Sequence, residues 1–148
     1  MIAVVQRVKS AKVEVAGKTV GNIDHGMLVL VAAESTDAEK EIKWMANRLI
    51  GLRIFEDAEG KMNLDCSQVG GGFLVVSNFT VAGDASAGRR PSFTKAAPYG
   101  DGQVLFESLV SEMREAAPEI QTGSYGEEMA VTLVNDGPIT LIVETPRG

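Results

Sequence analysis

The chain contains a single cysteine, Cys66, and a single histidine, His25. One thiol cannot close a disulfide within the chain, and zinc needs several His or Cys ligands at fixed spacing. A Ser-His-Asp or Cys-His arrangement would have to recruit His25, yet it lies between Asp24 and Gly26 in a stretch that reads as a surface turn. Basic residues are outnumbered by acidic ones, 14 against 20, for a net charge of -6. Extended phosphate contact wants a broad basic face, and this composition does not offer one. No stretch approaches the ~20 apolar residues that span a bilayer. The opening "MIAVVQRVKS" also lacks the long apolar segment of a secretion signal. These absences predict a cytoplasmic protein with no membrane partner, no metal and no cofactor.

What is present predicts one α+β domain over residues 1–148, long enough to bury a proper core. Val13 and Val15 alternate with Lys12 and Glu14 in a strand-rich first third. "MLVLVAA" is a continuous apolar run of strand length, as expected for a strand covered on both faces. Thr36 and Glu39 have the spacing of a capping box, and Ile42, Met45, Ala46 and Leu49 recur at helical spacing, which predicts a helix over 37–50. The second half repeats the plan: a short strand in "LRIFED", an apolar strand in "FLVVSNFTV", and a loop of roughly fifteen residues. A helix then follows, marked by Val104, Leu105, Leu109 and Met113 and stopped by Pro118. Seven or more strands and two long helices are expected in all.

Few residues carry recognisable chemistry. The triple glycine at 70–72 precedes a strand, so it is not a phosphate-cradling loop. The carboxylates of "AEKE" and "SEMREA" lie on polar helix faces. More informative is "SNFTV", Ser77 to Val81, where an apolar strand ends and backbone N–H groups become available to a ligand. "SAGRRPSFTK" places Arg89, Arg90 and Lys95 within ten residues, a small local patch that suits RNA contact as well as plain solvation. Finally, "VNDGPITLIVE" sets Gly137-Pro138 between two strand-like runs. A hairpin or strand corner is the simple reading. However, Pro138 stands where an outgoing strand should donate its first N–H, and proline has none.

Taken in order, "AVVQRV", "LRIFEDAEGKMNLD", "FLVVSNFTV", "GRRPSF" and "LVNDGPIT" resemble the D-aminoacyl-tRNA deacylases over essentially the whole chain. The resemblance implies a homodimer of β-barrel-like subunits with mixed sheets and two long helices. It implies hydrolysis of the ester joining a D-amino acid, or glycine, to the 3′-terminal adenosine of tRNA, as a proofreading step in translation. Gly137 and Pro138, joined by a cis peptide in the family, would reach into the partner subunit's site and exclude an L side chain. Backbone N–H groups at Phe79 and Thr80 would hold the oxyanion, with the ribose 2′-hydroxyl helping to activate water. Ser77 and Asn78 would contact substrate, Phe79 would wall the pocket near the adenine, Arg7 would hold the Gly-Pro loop and Met129 would line an apolar pocket. Arg89 and Arg90 are the candidate tRNA contacts. One departure stands out: the family usually has Gln where this chain has Asn78, one methylene shorter. A binding module that has lost activity, and an esterase using Thr80 as nucleophile, remain alternatives at this point.

Overall fold

The computed structural model describes residues 1–146. Along the chain run β1 (Ile2–Val15), β2 (Lys18–Ile23), β3 (Gly26–Ala32), α1 (Glu39–Gly51), β4 (Phe55–Glu56), β5 (Met62–Leu64) and β6 (Gly72–Ser77). A 3-10 turn (Phe79–Ala82), α2 (Tyr99–Ala116), β7 (Ile120–Thr122) and β8 (Ala130–Glu144) complete it. No helix among the described residues is long and apolar enough to cross a membrane.

β1 organises the sheet because its two halves have different neighbours. Ile2–Val8 lies between β3 and β8, whereas Ala11–Val15 lies between β2 and β8, all antiparallel. β3 then pairs with β6 and β6 with β7, both in parallel. The sheet curls until the backbone of Gly21 on β2 comes against the Thr122 carbonyl of β7, giving a mixed, nearly closed barrel. β4 and β5 form a separate small hairpin.

The apolar runs in β3 and β6 serve two cores at once. Met27, Val29, Val31, Phe73 and Val75 face the helices and pack with Met45, Leu49, Leu109 and Met113. Leu28, Leu74 and Val76 point the other way, into the barrel, with Val8, Val13 and Ile23. Both strands are therefore covered on both faces, as the continuous hydrophobic runs predicted. Burying each such Leu, Val or Phe contributes roughly 1.5–3 kcal/mol.

The triple glycine has a structural explanation. Gly26 and Gly72 sit opposite each other in the parallel β3–β6 register, and a side chain on Gly26 would collide with the Gly72 backbone. The close approach lets the Gly72 N–H donate to the His25 carbonyl at 3.0 Å.

Four local expectations need correction. α1 starts at Glu39, and Glu41 rather than Glu39 closes its N-terminus by accepting from the Ala38 N–H at 2.8 Å. β6 ends at Ser77, so Phe79–Ala82 is a turn and not strand. Val104 faces solvent, and the buried stripe of α2 runs through Phe106, Leu109, Val110 and Met113. Lastly, the residues around Gly-Pro form neither hairpin nor corner. Both runs belong to β8 and both pair with β1, with the ladder skipping between Gln6↔Thr140 and Val8↔Asn135. Arg7 alone stands opposite Asp136, Gly137, Pro138 and Ile139, which arch out as a bulge.

Candidate active site

The barrel is open at one end, and the opening is a cavity of about 650 Å³. Its floor consists of Leu28 and Leu30 of β3 and Val76 of β6, residues that face the barrel. Ser77, Asn78 and Phe79 form one wall, Tyr99 and Tyr125 another, and Met129, Val131 and Leu133 a third along β8. Glu127 is the one carboxylate in this wall among the described residues. The lining is thus chiefly apolar with a few polar groups at one corner, the usual character of a small-molecule pocket.

The corner at the end of β6 has a specific backbone arrangement. The Asn78 N–H donates to the Val31 carbonyl at 2.8 Å, extending the β3–β6 ladder by one rung. The chain then tightens into the 3-10 turn, in which the Val81 N–H returns to the Asn78 carbonyl at 3.2 Å and the Gly83 N–H to that of Thr80 at 2.9 Å. The N–H groups of Phe79 and Thr80 lead the turn, and no acceptor among the described residues takes them, as expected at the start of any helical turn. The Thr80 hydroxyl donates to Asn78 Oδ1 at 2.5 Å. Thr80 does not itself line the cavity. The Phe79 ring is 60% exposed and stands edge-on to Phe93, with centroids 5.4 Å apart.

Phe93 belongs to the long loop between the turn and α2. Mutual backbone bonds between Asp84 and Ser92, at 2.7 and 2.8 Å, pinch this loop at its base. The hydroxyl and N–H of Ser86 hold the Asp84 carboxyl below its usual range. Further along, the loop is tied to the segment after β3 by Ser35 N–H to the Lys95 carbonyl at 3.1 Å and Ala97 N–H to the Ala33 carbonyl at 2.9 Å. Arg89 and Arg90 lie exposed between these anchors.

Arg7, Asp136, Gly137 and Pro138 form a second constellation. The Arg7 side chain is buried, and its Nη1 donates to the Ile54 carbonyl at 2.8 Å. Its Nε donates to the Asp136 carbonyl at 3.3 Å and lies 3.3 Å from Asp136 Oδ2. The guanidinium thus holds the base of the bulge through Nε and the segment before β4 through Nη1. The Gly137-Pro138 peptide is cis, and Gly137 has φ +130°, a backbone region open to glycine. A side chain there would meet the Ile139 nitrogen at 2.9 Å. Gly137 and Pro138 are exposed, and neither lines the 650 Å³ cavity of their own chain.

Of the residues singled out in the sequence, Ser77, Asn78, Phe79 and Met129 come together around the cavity, with Thr80 just behind its rim. Arg7, Gly137 and Pro138 gather separately. The sequence reading missed Tyr99 and Tyr125, whose rings pack edge-on at 5.2 Å, with the Tyr125 hydroxyl donating to the Tyr99 backbone carbonyl at 2.8 Å. It also missed Leu28 and Leu30. Their alternation with Met27 and Val29 was visible, but not which face would stay open. His25 is exposed, edge-on to Phe55 at 5.2 Å, in the turn expected for it. Cys66 is buried, and burial pushes its thiol up to about 12. Among the described residues no group of three or more His, Cys, Asp or Glu is placed to hold a metal ion.

Fold and cavity together define an α+β protein with a nearly closed mixed sheet and a ligand pocket at its open mouth. Residues 4–144 match the family model described as D-Tyr-tRNA(Tyr) deacylase. The chain is 50% identical over 147 residues to a D-aminoacyl-tRNA deacylase of Geobacter metallireducens, covering 99% of this chain and 97% of that protein. It is 52% identical over 145 residues to one of Desulfatibacillum aliphaticivorans, covering 98% and 99%. A solved structure of a c-Myc DNA unwinding element binding protein superposes with a TM-score of 0.94 at 33% identity, over 99% of this chain and all of that one. A probable eukaryotic D-amino acid tRNA deacylase shares the fold, with a TM-score of 0.83 at 15% identity. The chain belongs to the D-Tyr-tRNA(Tyr) deacylase family.

Proposed function

We propose that this protein hydrolyses the ester of D-aminoacyl-tRNA, and of glycyl-tRNA, to free amino acid and tRNA in the cytoplasm, and that it rejects L-aminoacyl groups. The observation carrying this reading is the pair of N–H groups at Phe79 and Thr80 on the rim of an apolar cavity whose wall supplies no histidine and no nucleophile–base pair. Such a site can stabilise the oxyanion that forms when water attacks an ester carbonyl, and a single donor of this kind is typically worth about 2.7–4 kcal/mol. An aminoacyl ester is activated by its own ribose, whose 2′-hydroxyl can help deliver the water. The protein then needs to orient rather than to supply an acid–base pair. Phe79 offers a flat surface for the terminal adenine, Met129 and the β8 residues enclose the acyl group, and Ser77 and Asn78 supply polar contacts at the reacting end.

Chirality selection falls to Gly137 and Pro138. Because they lie outside their own chain's cavity, they act on a partner's, in a homodimer. β8 supports this arrangement by presenting the outward apolar side chains Val134, Leu141 and Ile142 beside the bulge. Arg89 and Arg90, on an exposed loop anchored next to Phe79 through Phe93, supply the local positive charge for the acceptor strand.

Deacylation of one tRNA charged with either enantiomer of the same amino acid tests the proposal. Rapid release from the D ester and none from the L ester is expected. Equal release from both would remove chirality selection, and release from simple acyl esters lacking tRNA would favour a general esterase. No release from either enantiomer would leave a binding module.

A further inference from the structure

We infer that Asn135 is a positioning residue for the Gly137-Pro138 bulge: its side-chain amide closes the neck of the bulge and so sets where the selectivity element stands. The inference rests on the proposal that Gly137 and Pro138 discriminate between enantiomers. Its own support is geometric. Where the β1–β8 ladder skips Asp136 to Ile139, backbone groups on both sides of the gap lose their strand partners. The Asn135 amide stands in for them. Oδ1 accepts from the Ile139 N–H at 3.1 Å, while Nδ2 donates to the Ile139 carbonyl at 3.0 Å and to the Arg7 carbonyl at 3.3 Å. One side chain thus ties the residue before the bulge to the last residue within it and ties both to β1.

Arg7 cannot replace this clasp. Its guanidinium holds Asp136, on the ascending side of the bulge, and nothing in that contact fixes the descending side at Ile139. The amide carries its donor and its acceptor on separate atoms, and so meets the Ile139 N–H and the two carbonyls at once. Asparagine is half-buried here, so the three contacts are shielded in part from competing water.

Because Asn135 acts through the bulge, its loss should show in selectivity rather than in the pocket's general competence. The experiment measures kcat/KM for matched D- and L-aminoacyl-tRNA with full-length Asn135→Ala, Asn135→Asp and a Gly137-Pro138 deletion. Thermal unfolding and dimer formation are checked for each. Asn135→Asp keeps the acceptor for Ile139 and loses both donated bonds. The D-to-L ratio should fall at least tenfold in Asn135→Ala and by at least as much in Asn135→Asp, whose second carboxylate oxygen would face the Ile139 and Arg7 carbonyls, in proteins that remain folded. A merely structural residue would lower the two rates together and leave the ratio unchanged. If the deletion collapses the ratio while both Asn135 variants keep it, the inference is overturned and the chirality proposal stands. If the deletion itself leaves the ratio intact, the chirality proposal fails first. Loss of the folded state in both Asn135 variants would make the residue part of the scaffold and would also overturn the inference.

Discussion

Replacing Thr80 with alanine separates the backbone mechanism from a side-chain nucleophile. The Thr80 hydroxyl donates to Asn78 Oδ1 at 2.5 Å, and the substitution removes that bond while keeping the Thr80 N–H. A hydrogen bond of this kind contributes about 0.5–1.5 kcal/mol. If all of it were felt in the transition state, the rate would fall by no more than about tenfold, at 1.36 kcal/mol per decade. Loss of an oxyanion donor would cost roughly 10²–10³ in rate, and loss of a true nucleophile on the order of 10⁶. The three accounts are therefore separated by orders of magnitude. Single-turnover deacylation of D-aminoacyl-tRNA under enzyme excess reads the chemical step directly. The reasoning predicts that Thr80→Ala keeps a tenth or more of the wild-type rate. A drop beyond a hundredfold in a folded protein, or an aminoacyl adduct on Thr80 in the wild type seen by mass spectrometry, would refute it.

Arg7→Ala leaves the Ile54 and Asp136 carbonyls without their donor and should cost about 1–3 kcal/mol in urea unfolding, with the D-to-L ratio falling as the bulge loosens. Gly137→Ala puts a side chain onto a residue at φ +130° and against the Ile139 nitrogen; assays with both enantiomers should show reduced discrimination. Changing Arg89 and Arg90 together to alanine should raise KM and flatten its salt dependence by a slope of about 1.4 for two lost contacts to single-stranded RNA. Cys66 is buried, with its thiol raised from 9.0 to about 12. It should resist alkylation in the native protein and react once the chain is unfolded in denaturant. Because the folded thiol titrates above the unfolded one, its contribution to stability is intact below about pH 9 and is lost as pH rises toward 12.

The helices and the central strands were legible from the sequence because their signals are local. The spacing of Ile42, Met45, Ala46 and Leu49 already marks the buried face of α1, and "MLVLVAA" already reads as doubly covered. The misplaced start of α1 has a non-local cause. Asp37 is bound to the Met1 ammonium at 2.8 Å and to the Glu34 N–H at 2.7 Å, so the helix begins after Ala38 and Glu41 takes the role expected of Glu39. The β8 bulge was misread for a similar reason. Asn-Asp-Gly-Pro is good turn chemistry, but the long partner strand β1 pairs with the chain on both sides of it and holds it straight. Within the site, the polar corner at Ser77–Thr80 was visible as an abrupt end to an apolar run. Tyr99 and Tyr125 were not, because only the folded chain brings the start of α2 beside the segment that follows β7.

The central claim is that each pocket takes its selectivity element from the other subunit, and mixing two differently defective variants tests it most directly. One variant carries Ser77→Trp, which fills its own cavity and stops turnover, and the other lacks the Gly137-Pro138 bulge and so cleaves both enantiomers. In a mixed dimer, one composite site then combines an intact pocket with an intact bulge from opposite chains, as two-fold symmetry requires. D-selective deacylation should return on mixing, at up to about half the wild-type rate per mixed dimer by the same symmetry. If mixed dimers are confirmed and cleavage of the two enantiomers stays unselective, each pocket uses its own bulge and the account is contradicted.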